Sequence, residues 1–208
     1  MTRRASPRHD NLRRALAQEA ARIMAQQGIQ DFLLAKRKAA ERLGVTDASA
    51  LPRNTEIEAA LAEYQRLFDA AGHDETLTAQ RRAAARAMRF LEDFEPRLVG
   101  PVLSGTATAH AAVQLHLFAD RPENVALRLL DRGIAHEVTE RRHRVDAERV
   151  RPYPGLRFDF GEQAFEVTVF PLDGIRQAPA SPVDGKPMRR ADADEVEVLL
   201  AEGELGAR

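Results

Sequence analysis

The stretch Arg97–Asp120, RLVGPVLSGTATAHAAVQLHLFAD, decides how this chain is read. It opens with an apolar, strand-forming run, Leu98, Val99, Val102 and Leu103, that stops at Ser104-Gly105-Thr106. Small residues follow, where a short helical link is expected. Val113 to Ala119 then alternates strictly. Val113, Leu115 and Leu117 fall on one side of a strand, and Gln114, His116 and Phe118 on the other. A strand, a glycine turn, a short helix and an alternating strand together suit a phosphate-handling site. The glycine lets backbone N–H groups approach an anion, and the polar positions of the next strand point at the same spot.

Downstream of this stretch the pattern is α/β. Pro122 opens a helix to about Arg132, which Gly133 stops. Ile134 to His143 alternates weakly, as an edge strand does. Gly155 to Gly161 and Phe165 to Phe170 each place aromatic and β-branched residues on one face, and the turn Gly161-Glu162-Gln163 joins them as a hairpin. Arg176 to Arg190 is a Pro/Gly loop turning at Asp184-Gly185, and Asp194 to Glu202 is a closing helix.

Upstream, the pattern is helical. Ser6-Pro7 reads as an N-cap with Pro at the first helical position, and Gly28 stops that helix. A second helix spans about Asp31 to Leu43. A third follows Asn54, with Thr55-x-x-Glu58 as a capping box and a stripe of Ile57, Leu61, Tyr64, Leu67 and Phe68 that ends at Gly72. A fourth runs from about Glu75 to Phe94. Short connections between amphipathic helices predict an antiparallel bundle. The fold class expected is therefore α+β: a helical region over residues 1–95 packed on a small mixed sheet over residues 96–208.

Composition bounds the chemistry. The 208 residues include no Cys, which excludes disulfides, thiolate catalysis and Cys-based zinc sites. Apolar residues make up 44 %, enough for a core, and a formal net charge of −1 gives no whole-molecule field for nucleic acid or membrane. No apolar run is long enough to span a bilayer and no secretory signal opens the chain, so a cytoplasmic protein is expected. P-loop, G-x-G-x-x-G and G-x-S-x-G motifs are lacking. The basic residues of the first two helices, Lys36, Arg37 and Lys38 among them, form the alternative site, a phosphate-contacting surface for nucleic acid or a regulatory role.

Residues 97 to about 170 resemble the nucleotidyltransferase fold of the DNA polymerase β-like superfamily. Leu103-Ser104-Gly105-Thr106 matches its strand-glycine element, and Val113 to Phe118 matches the strand that carries its D-x-D pair. The whole chain, with its loop RQAPASPVDGKPM, also resembles a bacterial family that carries such a domain. The resemblance implies transfer of nucleoside monophosphate groups by two bound Mg²⁺ ions. Ala112 and Gln114 stand at the Asp positions in this register, and only Glu166 is left as a carboxylate, so the implied metal site is degenerate. No metal ligand set is assigned, and Mg²⁺ enters only if the site is active. His116 shares a face with Gln114, so Gln114, His116 and Glu166 are the candidate catalytic set. Ser104, Gly105, Thr106, Lys186 and Arg189 are the candidate contacts to a nucleotide or other phosphorylated small molecule. A non-catalytic interaction module is the remaining alternative.

Overall fold

A computed structural model describes residues 7–68, 70–146 and 149–206. The protein is α+β, with seven α-helices and one five-stranded mixed sheet among these residues. Ser6, the expected cap of the first helix, lies outside the described residues. The chain divides into two compact units: residues up to His73 with Pro182–Asp184, and Asp74–Ser181 with the remainder from Gly185.

The first unit is built on α1 (Pro7–Gln27), α2 (Phe32–Arg42) and α3 (Asn54–Phe68). Leu16, Ala20, Ile23, Ala35, Ala39, Ile57 and Leu61 form its core. Asp31 caps α2, its carboxylate accepting from the backbone N–H groups of Leu33 at 2.7 Å and Leu34 at 3.0 Å. The reciprocal bond at the start of α3 differs from expectation. Glu56 Oε2 accepts from the Arg53 N–H at 2.6 Å, two residues ahead of the Thr55/Glu58 pair. The apolar stripe of α3 is buried only at its first turns; Leu67 and Phe68 are exposed.

α4 (Ala70–Phe90) begins before Gly72, which therefore does not end α3. From Asp74 onward α4 belongs with the sheet, its Leu77, Ala84 and Met88, with Leu91 just after it, sharing one core with the strands. The compact units thus divide inside α4 rather than at residue 95.

The sheet is ordered β1-β2-β5-β4-β3, from β1 (Arg97–Val99), β2 (Val113–Phe118), β3 (His136–Arg144), β4 (Val150–Phe160) and β5 (Gln163–Phe170). β2 and β5 run parallel at its centre; the other pairs are antiparallel. The apolar run of the opening stretch is not one strand. β1 ends at Val99 and α5 (Gly100–Ser104) follows at once. Pro101 dictates this: its fixed φ and missing N–H suit the first turn of a helix and not a sheet interior. The expected helical link between the strands is instead a turn, closed by the Ala111 N–H to the Thr108 carbonyl at 3.0 Å. β4 begins earlier than its hairpin pattern, at Val150, with Pro152 and Pro154 inside it. That segment pairs with β3 but lies beyond the end of β5, so the prolines face no missing ladder bond on that side.

Val113, Leu115 and Leu117 of β2, with Phe165, Val167 and Val169 of β5, form the core beneath α4, α6 (Glu123–Asp131) and α7 (Ala193–Gly206). After the Pro/Gly loop, Ala191 bridges Leu98 of β1, exchanging bonds of 2.8 and 2.9 Å. No helix among the described residues is long and apolar enough to cross a membrane.

Candidate functional site

The opposite face of the sheet is polar, and its rows follow from register. Gln114 of β2 pairs with Glu166 of β5, which pairs with Arg157 of β4. One row along, Arg97, His116, Thr168 and Gly155 stand side by side. Directly paired residues share a face, so Gln114, His116 and Glu166 lie together as the alternation predicts.

Glu166 is nearly enclosed, with 13 % of its side chain exposed. Its Oε1 accepts from Arg157 Nη2 at 2.5 Å and its Oε2 pairs with Arg141 of β3. One carboxylate thus ties three strands, and the face keeps one net positive charge there. Arg141 is partly desolvated and lies beside Arg157, and both effects pull its pKa below the ordinary value.

His116 is buried. Arg190 Nε donates to its Nδ1 at 3.0 Å, and since a guanidinium only donates, the ring proton sits on Nε2. Burial, then the charge of Arg190, then His143 push its pKa well below 6.5. His143 of β3 lies edge-on to it, ring centres 5.3 Å apart, with Nε2 3.3 Å from Thr168 Oγ1. Burial first, then Arg141 and Arg190, lower its pKa to about 4. Both imidazoles are neutral at ordinary pH.

Arg190 closes this end of the face. Its guanidinium lies 5.0 Å from the ring of Phe118 and 5.1 Å from that of Phe170. Its Nη1 donates to the carbonyls of Gly174 at 2.8 Å and Ile175 at 3.3 Å. Its Nη2 is buried without a hydrogen bond among the described residues. Desolvation, with Arg97 nearby, lowers its pKa to about 10, so it stays charged. Arg190 belongs by sequence to the late-loop basic cluster of Lys186 and Arg189, yet it is the one of the three not counted among the expected site residues. Its signal is its neighbour: Ala191 is buried in the core, so Arg190 must face the other way.

The other candidate contacts go elsewhere. Gly105 ends α5 in the left-handed conformation, φ 83°. A side chain there would meet Leu77 and Arg81 of α4; Gln114, His116 and Glu166 all lie beyond 4 Å. Ser104 Oγ and Thr106 Oγ1 share a hydrogen bond at 3.0 Å, which makes them part of the turn. Lys186 is exposed in the late loop, its carbonyl accepting from the Ser181 N–H at 2.7 Å. Arg189 is exposed and pairs loosely with Glu195 at 3.8 Å. The strand-to-helix glycine that meets the polar face is Gly100. With φ 72° and no Cβ, it admits Gln114: a Cβ there would stand 2.4 Å from Gln114 Oε1. Counted from Gly100, the two polar positions of β2 are Gln114 and His116; Ala112 precedes the strand.

This donor set does not suit a pair of divalent cations. It offers one carboxylate, held by two guanidiniums, and an imidazole whose Nδ1 already accepts a bond. Among the described residues no three His, Asp or Glu side chains are grouped to hold a metal. What the face can do is hold an anion, through Arg141, Arg157 and the Gln114 amide. The basic helices of the first unit are partly self-neutralised. Arg22 and Arg42 both pair with Glu19, at 2.8 and 2.9 Å, and Lys38 donates to Gln27 at 2.9 Å.

No family model, no curated protein and no solved structure matches this chain.

Proposed function

We propose that this chain is a nucleotidyltransferase-like protein that binds a nucleotide on the polar face of its sheet without metal-dependent transfer. The observation that carries this reading is the close approach of Gly100 to Gln114, which sets a strand, a glycine, a short helix and a second strand around one polar row. In that row Gln114 and Arg157 flank Glu166, and Arg141 reaches the same carboxylate from β3. An incoming phosphate takes the outward N–H groups of Arg157, which is 57 % exposed, while Glu166 keeps the guanidinium in place. The chain's part is to bind and orient; no general base is poised, because both imidazoles are shielded and His116 already accepts from Arg190.

Equilibrium dialysis with ATP, CTP, GTP and UTP tests this, each with Mg²⁺ and again with EDTA. At least one nucleotide should bind equally well in EDTA. Arg157→Ala should weaken that binding about tenfold, as expected for loss of a charge-assisted contact to phosphate. Failure of all four to bind at millimolar concentration, or binding seen only with Mg²⁺, would refute the reading.

A further inference from the structure

A second basic cleft opens at the turned end of the β4–β5 hairpin. It measures about 590 Å³ and lies between Arg86, Arg89 and Phe90 of α4, Arg132 just after α6, and Asp159 and Phe160 of β4. Cavities of this size, about 300–1,000 Å³, take small ligands. Its cations are largely uncommitted. Arg86 makes no side-chain hydrogen bond or ion pair among the described residues, and neither does Arg132, whose guanidinium lies 5.8 Å from the centre of the Phe90 ring. Arg89 is 73 % exposed and pairs loosely with Glu197 at 3.4 Å. Asp159 makes no ion pair with any of these guanidiniums among the described residues.

The floor is aromatic. Phe90 and Phe160 are stacked, centres 5.5 Å apart and planes 16° from parallel. Both are half-buried against the sheet core. Their stacking fixes the wall at little cost when a ligand arrives, since neither ring must be ordered on binding. Three guanidiniums around an apolar wall match a molecule that carries both a phosphate group and a flat apolar body.

We propose that this cleft binds a phosphorylated aromatic small molecule, with Arg86 and Arg132 on the phosphate and Phe160 against its ring. The site is independent of the nucleotide reading above, because the arginines and aromatic rings that would hold the ligand, on α4, after α6 and on the core side of β4, take no part in the polar row of Gln114, Glu166 and Arg157.

Isothermal titration of the full chain with inorganic pyrophosphate and with ADP tests it. The titration is run in an Arg157→Ala background, which removes the contact proposed on the sheet face. Both probes should bind, ADP more tightly. Arg86→Ala with Arg132→Ala should weaken both by about a hundredfold, one charge-assisted contact being worth about tenfold. The ligand-free melting temperature should change little, since neither side chain makes a hydrogen bond or ion pair and Arg132 gives up only its contact with the Phe90 ring. Phe160→Leu should bring ADP down to the affinity of pyrophosphate. Absence of heat from either probe at millimolar concentration would overturn the proposal, as would titrations unchanged by the arginine substitutions. So would a single-stranded oligonucleotide that binds through the same arginines while neither small probe does.

Discussion

Gln114 faces the backbone of Gly100, and that contact fixes what the residue at 100 can be. A Cβ there meets the amide oxygen at 2.4 Å, and the backbone at φ 72° is strained for any L side chain. Gly100→Ala should cost about 2 kcal/mol in urea unfolding, roughly half from conformation and half from the clash. Gly100→Ala with Gln114→Ala should recover the clash and leave about 1 kcal/mol. A double variant as unstable as the single would mean that the approach is not what fixes glycine.

His143 carries the second prediction at this scale. Its folded pKa of about 4 and its ordinary value of 6.5 leave the unfolded chain binding the extra proton between them. Its stabilisation is therefore complete above pH 6.5 and is lost as the pH falls toward 4. The steepest slope one such group can give is about 1.4 kcal/mol per pH unit. His116, shifted in the same direction, adds to it. Urea midpoints taken at about pH 7.5 and about pH 5 should fall on acidification in the parent, and the fall should be smaller in His143→Gln. An equal fall in both would show that this imidazole is not excluded from protonation in the folded chain.

Between strands, the organising group is Glu166. It binds Arg141 of β3 and Arg157 of β4 from its place on β5, so one carboxylate spans three strands. Removing it leaves two guanidiniums facing each other on a half-buried surface. Glu166→Ala should cost about 2 kcal/mol, whereas Arg157→Ala, which removes one exposed partner, should cost about 0.5 kcal/mol. Chemical denaturation of both variants and of the pair reads this asymmetry; equal costs would mean that the carboxylate is not the shared partner. The element-level lesson of the opening stretch is similar. Hydropathy reads Leu98 to Leu103 as one strand because every other property of those residues suits a sheet. Pro101 turns it into β1 followed by α5, and with that change the site's glycine becomes Gly100 while Gly105 becomes a helix stop.

For the whole molecule, the consequential fact is the division within α4. Leu77, Ala84, Met88 and Leu91 fill the core of the sheet unit, so that unit cannot begin after them. A fragment of residues 74–208 should unfold cooperatively on heating. A fragment of residues 96–208 should lack a cooperative transition, because loss of α4 and Leu91 strips a large part of the cover from the apolar face of β2 and β5, leaving only α6 and α7 on it. Circular dichroism melts of the two decide it, and a cooperative melt of the shorter fragment would return the boundary to residue 95. The long hydrophobic stripe of α4 is visible in the sequence, but a stripe tells only that a partner exists. Whether the partner is α3 or the sheet is a question of packing at a distance.

The sequence alone determined the elements whose signal is local. Alternation in Val113–Phe118 and Phe165–Phe170 set which side chains of β2 and β5 face the core, and thereby put Gln114, His116 and Glu166 on the opposite face. The absence of Cys and the stop at Gly28 are of the same kind, read from a few neighbouring residues. Only the tertiary structure decided what those polar side chains meet. Arg190 reaches His116 across 74 positions of chain, Arg141 and Arg157 claim Glu166, and Gly105 turns toward Leu77 and Arg81 of α4. The reason is physical. Periodicity records whether a residue is turned toward apolar surroundings, a property of its own strand or helix, whereas an ion pair or a hydrogen bond depends on which strand lies alongside, and that is settled by the packing of the whole sheet.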